Sequence, residues 1–382
     1  MPLKKNNPKK IKILWNIFLG LSILFSVYIG TIVIRGHMFY VSISEYGKVP
    51  WNNRRLTERI YHFDDLLGYA LIPNTHSHET SIYKNNPIDF IIDENGFRVS
   101  KNSTSEKKRP LILFIGDSFT FGDFCYAESS FVFLAGKNLN MDVINAGVPG
   151  YGLAQMLLLS RKLIEIYTPD YVIVQFSEPI VRRAGCYYAP LGPRFKGFAS
   201  VPYIADLGET CGIIPPIFKS KVFDLMLNDF IDKNQNESAF IWKICLPLYF
   251  YDDINAVLLP KAAFLTKKIP SPCKDNDKII EYAYSEIDSI CRANNSKYYI
   301  LSINNDASVL RKGHSIYSLK VNTINADSFL WNEFPIKTQT EFYKIYGHLS
   351  KDGEVIDKHP NELSHRIIAK SIIDAIKKTY TE

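Results

Sequence analysis

The sequence predicts a three-layer α/β/α domain with a mainly parallel sheet, preceded by one membrane-spanning helix. Three observations lead there. Residues 110–185 alternate short apolar runs with stretches of helical periodicity. The same alternation resumes from Asp275 towards the C-terminus. One uncharged apolar stretch near the N-terminus is long enough to cross a bilayer.

That stretch is Ile13 to Ile34, in which Asn16 is the most polar residue. As a helix it rises about 33 Å, the thickness of a bilayer's hydrocarbon core. Lys4, Lys5, Lys9, Lys10 and Lys12 precede it, whereas only Arg35 and Lys48 follow closely. The positive-inside rule then assigns 1–12 to a basic cytoplasmic tail, 13–34 to the anchor and the rest of the chain to the outer side. A cleaved signal peptide fits less well: its apolar core runs to only ~7–15 residues, and no A-x-A-like cleavage site follows here. The tail also accounts for most of the formal charge of +6 in these 382 residues. The nearly neutral remainder lacks the electrostatic footprint of a nucleic-acid binder.

Six cysteines (Cys125, Cys186, Cys211, Cys245, Cys273, Cys291) fall on the outer side, where disulfides can form. Their spacing selects no pairing, and none lies in a CxxC or metal-like cluster. No metal and no cofactor is expected.

Residues 35–109 read as a polar, turn-rich lead-in, with signals such as Asn95-Gly96. Residues 110–382 read as the main domain. Leu111–Ile115 is a continuous apolar run, the mark of a strand buried on both faces of a parallel sheet. Met141–Ile144 is a second such run, Leu153–Tyr167 a helix closed by Pro169-Asp170, and Tyr171–Phe176 a third strand. Residues 186–272 break the rhythm. Their prolines, glycines and aromatics, with helical patches near 221–232, suggest an insertion over the sheet's carboxyl edge, where open α/β folds bind ligands. An acceptor pocket is expected there. Helix returns at Asp275–Ala293 and strand at Tyr298–Ser302, followed by an irregular stretch, 303–345. Pro360–Lys378 makes the last helix, with proline in its first turn and Ile367, Ile368, Ile372, Ile373 and Ile376 on one side.

Three clusters carry chemistry. The first strand runs into Gly116, Asp117 and Ser118, which places a serine at the sheet's carboxyl edge. There its own N–H and the next helix's N-terminus can face a developing negative charge. The second strand runs into Asn145, Gly147, Pro149, Gly150 and Gly152, a block whose glycines let backbone approach a substrate. Far along the chain, Asp357 and His359 stand just before the last helix. Serine, histidine and aspartate so placed supply nucleophile, base and orienting acid. The other histidines carry less: His76 and His78 alternate as on a strand, His348 lies in a loop, and His365 sits within the last helix as a structural or surface residue.

Together these blocks resemble the SGNH (GDSL-like) hydrolase superfamily, over roughly residues 58–378. Leu67-Gly-Tyr, Pro73-Asn74 and Asn95-Gly-Phe-Arg98 add a stretch seen in its membrane-anchored bacterial members. The resemblance implies an SGNH/flavodoxin-like sheet, Ser118 as nucleophile, His359 as base and Asp357 as its orienting acid. It also implies an oxyanion hole from the N–H groups of Ser118 and Gly150, with Asp117 and Asn145 in support. One block departs. An ungapped reading of Gln175 to Arg183 puts Pro179 where the family carries an oxyanion-donating asparagine, and proline offers neither donor. Loss of one such donor costs about 2.7–4 kcal/mol in the barrier; Arg182 and Arg183 are the substitutes in reach. The implied activity is ester hydrolysis outside the cytoplasmic membrane on an acylated glycan or lipid. The alternatives are O-acyl transfer to an envelope or exported glycan, fed by a membrane acyl-donor partner, and a non-catalytic glycan-binding descendant.

Overall fold

The computed structural model describes residues 8–47, 60–80, 87–101, 110–186, 188–190, 198–216, 270–304 and 315–379. The expected helical patches near 221–232 and Cys245 lie outside them, as does most of the 186–272 insertion.

Helix α1 (Pro8–Gly47) belongs to the first of the two units into which the chain divides. Within it, Lys12–Gly30 is long and apolar enough to cross a membrane, by length and composition. Its large side chains, among them Ile13, Trp15, Phe18, Leu24 and Phe25, are exposed. The helix starts before Ile13 and continues past Ile34 to Gly47, through a stretch with no proline to end it.

A second unit, Pro50–Asp224 with Pro270–Glu382, is α/β and includes the first part of the insertion. In chain order it holds β1 (Tyr61–Asp64), β2 (Gly68–Leu71), β3 (Thr75–Thr80), β4 (Pro87–Ile92), β5 (Arg98–Val99) and β6 (Leu111–Gly116). Then come α2 (Ser118–Phe121), α3 (Phe131–Leu139), β7 (Asp142–Gly147), α4 (Leu153–Tyr167), β8 (Tyr171–Phe176) and α5 (Glu178–Ala184). Two short hairpins follow, β9 (Tyr188–Pro190) with β10 (Phe198–Ser200) and β11 (Tyr203–Asp206) with β12 (Cys211–Ile214). The chain closes with α6 (Asn276–Ala293), β13 (Lys297–Ser302), β14 (Asn322–Asn325), α7 (Ala326–Glu333), α8 (Gln339–Tyr346), β15 (His348–Leu349), β16 (Val355–Asp357) and α9 (Glu362–Lys378).

The central sheet has eight strands in the order β14-β13-β8-β6-β7-β5-β4-β3, and the first five run parallel. Alternation along β6 explains the layers. Leu111, Leu113 and Ile115 point into a core shared with α4, α5 and α6, while Ile112 and Phe114 point into one shared with α3, α7, α8 and α9. Each such side chain contributes roughly 1.5–3 kcal/mol by leaving water. Since both faces are covered, the strand reads as an unbroken apolar run. The chain leaves β6 for β7 on one side and returns across it to β8 on the other. That reversal opens a crevice at the carboxyl end of β6, the place where doubly wound sheets bind ligands.

Two irregular-looking stretches contribute regular elements among the described residues. The lead-in supplies β3, β4 and β5, which extend the sheet antiparallel beyond β7, with Arg98 opposite Asn145. Its signal was a short alternation, Ile88, Phe90 and Ile92, all buried. The stretch 303–345 holds β14, α7 and α8. Its helix starts were also legible: Asn325 accepts from Ser328 N–H, and Thr338 with Glu341 forms a capping box. Among the described residues no cysteines are joined as a disulfide.

His365 on α9 is fully buried against Phe131, whose N–H donates to its Nδ1 (3.2 Å). Burial, with Arg98, His348 and His359 nearby, lowers its pKa from 6.5 to about 3. The unfolded chain takes up this proton near pH 6.5 and the folded chain only near 3, so stability falls as pH drops through that window and is unaffected above it. His365→Gln should therefore show a shallower loss of Tm between pH 6.5 and 4 than wild type in parallel thermal melts. Equal slopes would contradict the assignment.

Candidate active site

The crevice is built around a four-residue helix. Asp117 caps α2 by accepting from Phe119 N–H (3.1 Å), and Ser118 is the first residue of its turn. The Ser118 N–H thus belongs to the group that a helix leaves unpaired at its start. Gly122, at φ 84°, ends the turn in the left-handed region, which glycine enters without strain.

Ser118 and His359 lie 241 positions apart in sequence, yet His359 Nε2 is 2.9 Å from Ser118 Oγ. Behind the ring, Asp357 Oδ1 lies 2.6 Å from Nδ1 and also accepts the His359 backbone N–H (2.7 Å). A carboxylate there holds the proton on Nδ1 and leaves the Nε2 lone pair facing the hydroxyl. Phe119 and Phe124 pack edge-on against the imidazole, with centroids 5.3 and 5.1 Å away. The loop is held from below. Asn361 caps α9 by accepting from Leu363 and Ser364 N–H, and its amide donates to the carbonyls of Ile345 (2.8 Å) and Gly347 (3.0 Å).

Burial works against a charged His359, but the hydrogen bond with Asp357 and the charges of Asp123, Asp357 and Asp117 outweigh it, so its pKa stands above 6.5. For Asp357, burial opposes ionisation. The hydrogen bond and charge of His359, its backbone N–H and His348 prevail and hold the carboxyl below its usual range.

Beneath the nucleophile turn lies a polar layer with three strands as its source. From β8, Gln175 Oε1 accepts from Thr120 Oγ1 (2.7 Å) and Asp117 N–H (3.2 Å), and Nε2 donates to Asp117 Oδ1 (2.9 Å). From β7, Asn145 donates to Thr120 O (3.0 Å) and accepts from Gly147 N–H (3.0 Å). From β5 comes Arg98, fully buried between the rings of Phe90 and Phe121 at 4.7 and 4.8 Å. Its guanidinium donates to Phe121 O (2.6 Å), Gly122 O and Cys125 O (2.6 Å), the carbonyls that close the turn.

The glycine block is joined to the same turn, with Val148 N–H donating to Gly116 O (3.1 Å). Gly150 takes φ +83°, and a Cβ there would stand 2.7 Å from the Tyr69 hydroxyl. That hydroxyl donates to Pro149 O (3.0 Å), while Tyr151 Oη donates back to Tyr69 O (2.7 Å) and Gln155 donates to Leu67 O (2.8 Å). Hairpin β1–β2 therefore braces the block.

Ser118, His359, Asp357, Asp117 and Asn145 thus meet in one crevice, with the Gly150 turn held beside it. Pro179 lies in the first turn of α5 and brings no donor. Arg182 is exposed, whereas Arg183 reaches both Asp117 Oδ2 (3.1 Å) and Tyr151 O, clamping nucleophile turn to glycine block. Sequence reasoning missed Arg98 and Gln175. The available signal for Gln175 was a lone amide within an otherwise apolar buried strand.

No family model matches the chain, and no curated protein does. Solved structures similar to it include a member of the lipolytic protein G-D-S-L family from Veillonella parvula DSM 2008, at 10% identity and TM-score 0.34 over 70% of this chain and 98% of that one. Another is the psychrotrophic esterase EstA from Pseudoalteromonas sp., at 13% identity and TM-score 0.34 over 72% of this chain and 100% of that one. A third is LAE5, an alpha/beta hydrolase enzyme from the metagenome of Lake Arreo, Spain, at 13% identity and TM-score 0.36 over 71% of this chain and 97% of that one.

Two measurements check this construction. Arg98→Met leaves three carbonyls without their donor and should cost at least about 2 kcal/mol in denaturant unfolding, and Arg98→Lys should not restore it, since one ammonium cannot reproduce the fork. A loss under ~0.5 kcal/mol would mean the guanidinium is dispensable. In NMR titrations the His359 ring should protonate with a midpoint above 6.5. Asp357→Asn should move that midpoint down, and an unmoved one would deny the contact.

Proposed function

We propose that the protein is an SGNH-type serine ester hydrolase that works through an acyl-enzyme on Ser118. The observation that carries this reading is the relay from Asp357 Oδ1 to His359 Nδ1 (2.6 Å) and from His359 Nε2 to Ser118 Oγ (2.9 Å). In the first half-reaction Ser118 Oγ bonds to the ester carbonyl carbon as His359 Nε2 takes its proton. The tetrahedral oxyanion lies against the N–H groups of Ser118 and Gly150. As the carbonyl re-forms, the C–O bond to the alcohol breaks and the alcohol leaves with the proton from His359. In the second half, water gives a proton to His359 and attacks the acyl group, and Ser118 is restored as the acid departs. A hydroxyl of a glycan in water's place turns the same acyl-enzyme into an O-acyltransferase, with its donor delivered by a membrane partner.

Asp357 keeps the imidazole in the tautomer that can accept from serine and stabilises the imidazolium. Arg183 is a positioning residue here. By bridging Asp117 and Tyr151 it fixes the spacing between the two oxyanion amides, in a chain with Pro179 at the usual asparagine position. Extracytoplasmic action is supported by Lys12–Gly30, long and apolar enough to cross a membrane, and by the lysines before it, which the positive-inside rule assigns to the cytoplasm. An acyl ester of an envelope glycan or lipid is the substrate class within reach.

The test is labelling of the full-length protein with a fluorophosphonate probe, followed by peptide mass spectrometry. An adduct on Ser118, lost in Ser118→Ala and reduced at least ~100-fold in rate in His359→Ala, is expected. Absence of an adduct on the folded protein would turn the reading to a non-catalytic glycan-binding role.

A further inference from the structure

After the nucleophile helix the chain turns back through Gly122, Asp123, Phe124 and Cys125, and the Cys125 N–H closes that turn on Gly122 O (3.3 Å). Phe124, third of the four, has φ +64°. Glycine or asparagine is the usual occupant of such a position, because a bulky side chain crowds the backbone there. Among the described residues five non-glycines have positive φ. Three are asparagines, Thr168 caps α4, and Phe124 is the one aromatic. Strain of this kind gathers at sites where function requires a particular side chain.

The conformation is imposed from both ends. Gly122 is itself left-handed at φ +84°, and the Asp123 N–H donates to Ser118 O (3.0 Å). Arg98 holds the carbonyls of Gly122 and Cys125 on either side. So placed, the Phe124 ring lies edge-on to His359, with centroids 5.1 Å apart and planes at 65°. It also lies 5.5 Å from the ring of His348, which pairs with Asp357 across β15 and β16. One side chain of the nucleophile turn thus touches both the base and the hairpin that carries its acid.

We propose that Phe124 is a positioning residue for His359, kept in a strained backbone because its ring holds the imidazole at the angle that faces Ser118. The inference deepens the esterase reading above and rests on it. The torsion that turns a histidine ring has broad wells, so the side chain alone does not decide where Nε2 points. Asp357 fixes one edge of the ring through Nδ1 (2.6 Å), which leaves rotation about that contact open. Phe124, together with Phe119 at 5.3 Å, limits the rotation and keeps Nε2 at 2.9 Å from Ser118 Oγ. A misplacement of about 1 Å at a reacting group costs on the order of 100-fold in rate. Glycine or asparagine at 124 would relax the turn and take this wall away.

The test compares Phe124→Gly, Phe124→Asn and Phe124→Ala in the full-length protein, with 4-nitrophenyl acetate as substrate. All three remove the ring, but only alanine keeps the backbone penalty. Phe124→Gly and Phe124→Asn should therefore melt roughly 2–4 °C above Phe124→Ala. In all three, kcat should fall at least about tenfold with KM within about twofold of wild type, and fluorophosphonate labelling of Ser118 should slow in step. Phe124→Tyr, which keeps the ring, should retain kcat within about threefold. A rate that drops in the relaxed variants as far as in Phe124→Ala separates positioning from a packing role. Wild-type kcat in Phe124→Gly, a change in KM alone, or equal melting of the glycine and alanine variants would overturn the proposal while leaving wild-type Ser118 reactive. A wild-type Ser118 that takes no fluorophosphonate would instead remove the esterase reading, and this inference with it.

Discussion

The docking of α9 on the second face of the sheet is the contact on which the site depends. Ser118 rides on β6, an early element, whereas His359 arrives 241 residues later. Closing a loop of that length costs about 5 kcal/mol in the logarithmic part of the chain entropy alone. No single hydrogen bond between the two residues could offset that. The offset comes from Ile367, Ile368, Ile372 and Ile376, buried beside Phe131 of α3 and Leu330 of α7. The link from Phe131 N–H to His365 then sets where along α3 the last helix rests. Once α9 is placed, Asn361 and Pro360 define its start, and His359 can sit only at the mouth of β6.

The polar layer beneath Ser118 obeys a second constraint. A helix of four residues has almost no internal hydrogen bonding, so its carbonyls and amides need outside partners. They are supplied from three strands, by Gln175, Asn145 and Arg98. These are the polar residues a parallel sheet would otherwise exclude, and each is nearly or fully buried and hydrogen-bonded to the turn, Arg98 with its Nε left without a partner among the described residues. These bonds give the turn one geometry and aim the Ser118 hydroxyl at His359. The cost of burying Arg98 is met by two aromatic faces and three carbonyls, a coordination lysine could not copy.

Much of this was legible in the sequence. The parallel strands were legible because burial on both faces leaves an unbroken apolar run, as in Leu111–Ile115 and Tyr171–Phe176. The serine and histidine blocks were legible because each stands at a strand end or a helix start, where chain chemistry is distinctive. The antiparallel half of the sheet was only partly so: His76 and His78 alternate as on a strand, but β5 is two residues long, and nothing in Asn95-Gly-Phe-Arg98 marks Arg98 as buried. The depth of Asn145 was hidden too, as it lies within β7 rather than in the turn after it. The Phe124 contact was hidden for another reason. Phe124 reads as one residue of a loop, and only the left-handed backbone at Gly122 and Phe124 places its ring against His359.

The account reduces to one claim, that an acyl group passes through Ser118. Rapid acid quenching during turnover of 4-nitrophenyl acetate, followed by peptide mass spectrometry, tests it most directly. The account predicts acetylated Ser118 in the early time points, formed in step with a burst of nitrophenol and missing from His359→Ala. Nitrophenol release with Ser118 unmodified, or with the acetyl group on another residue, would contradict it.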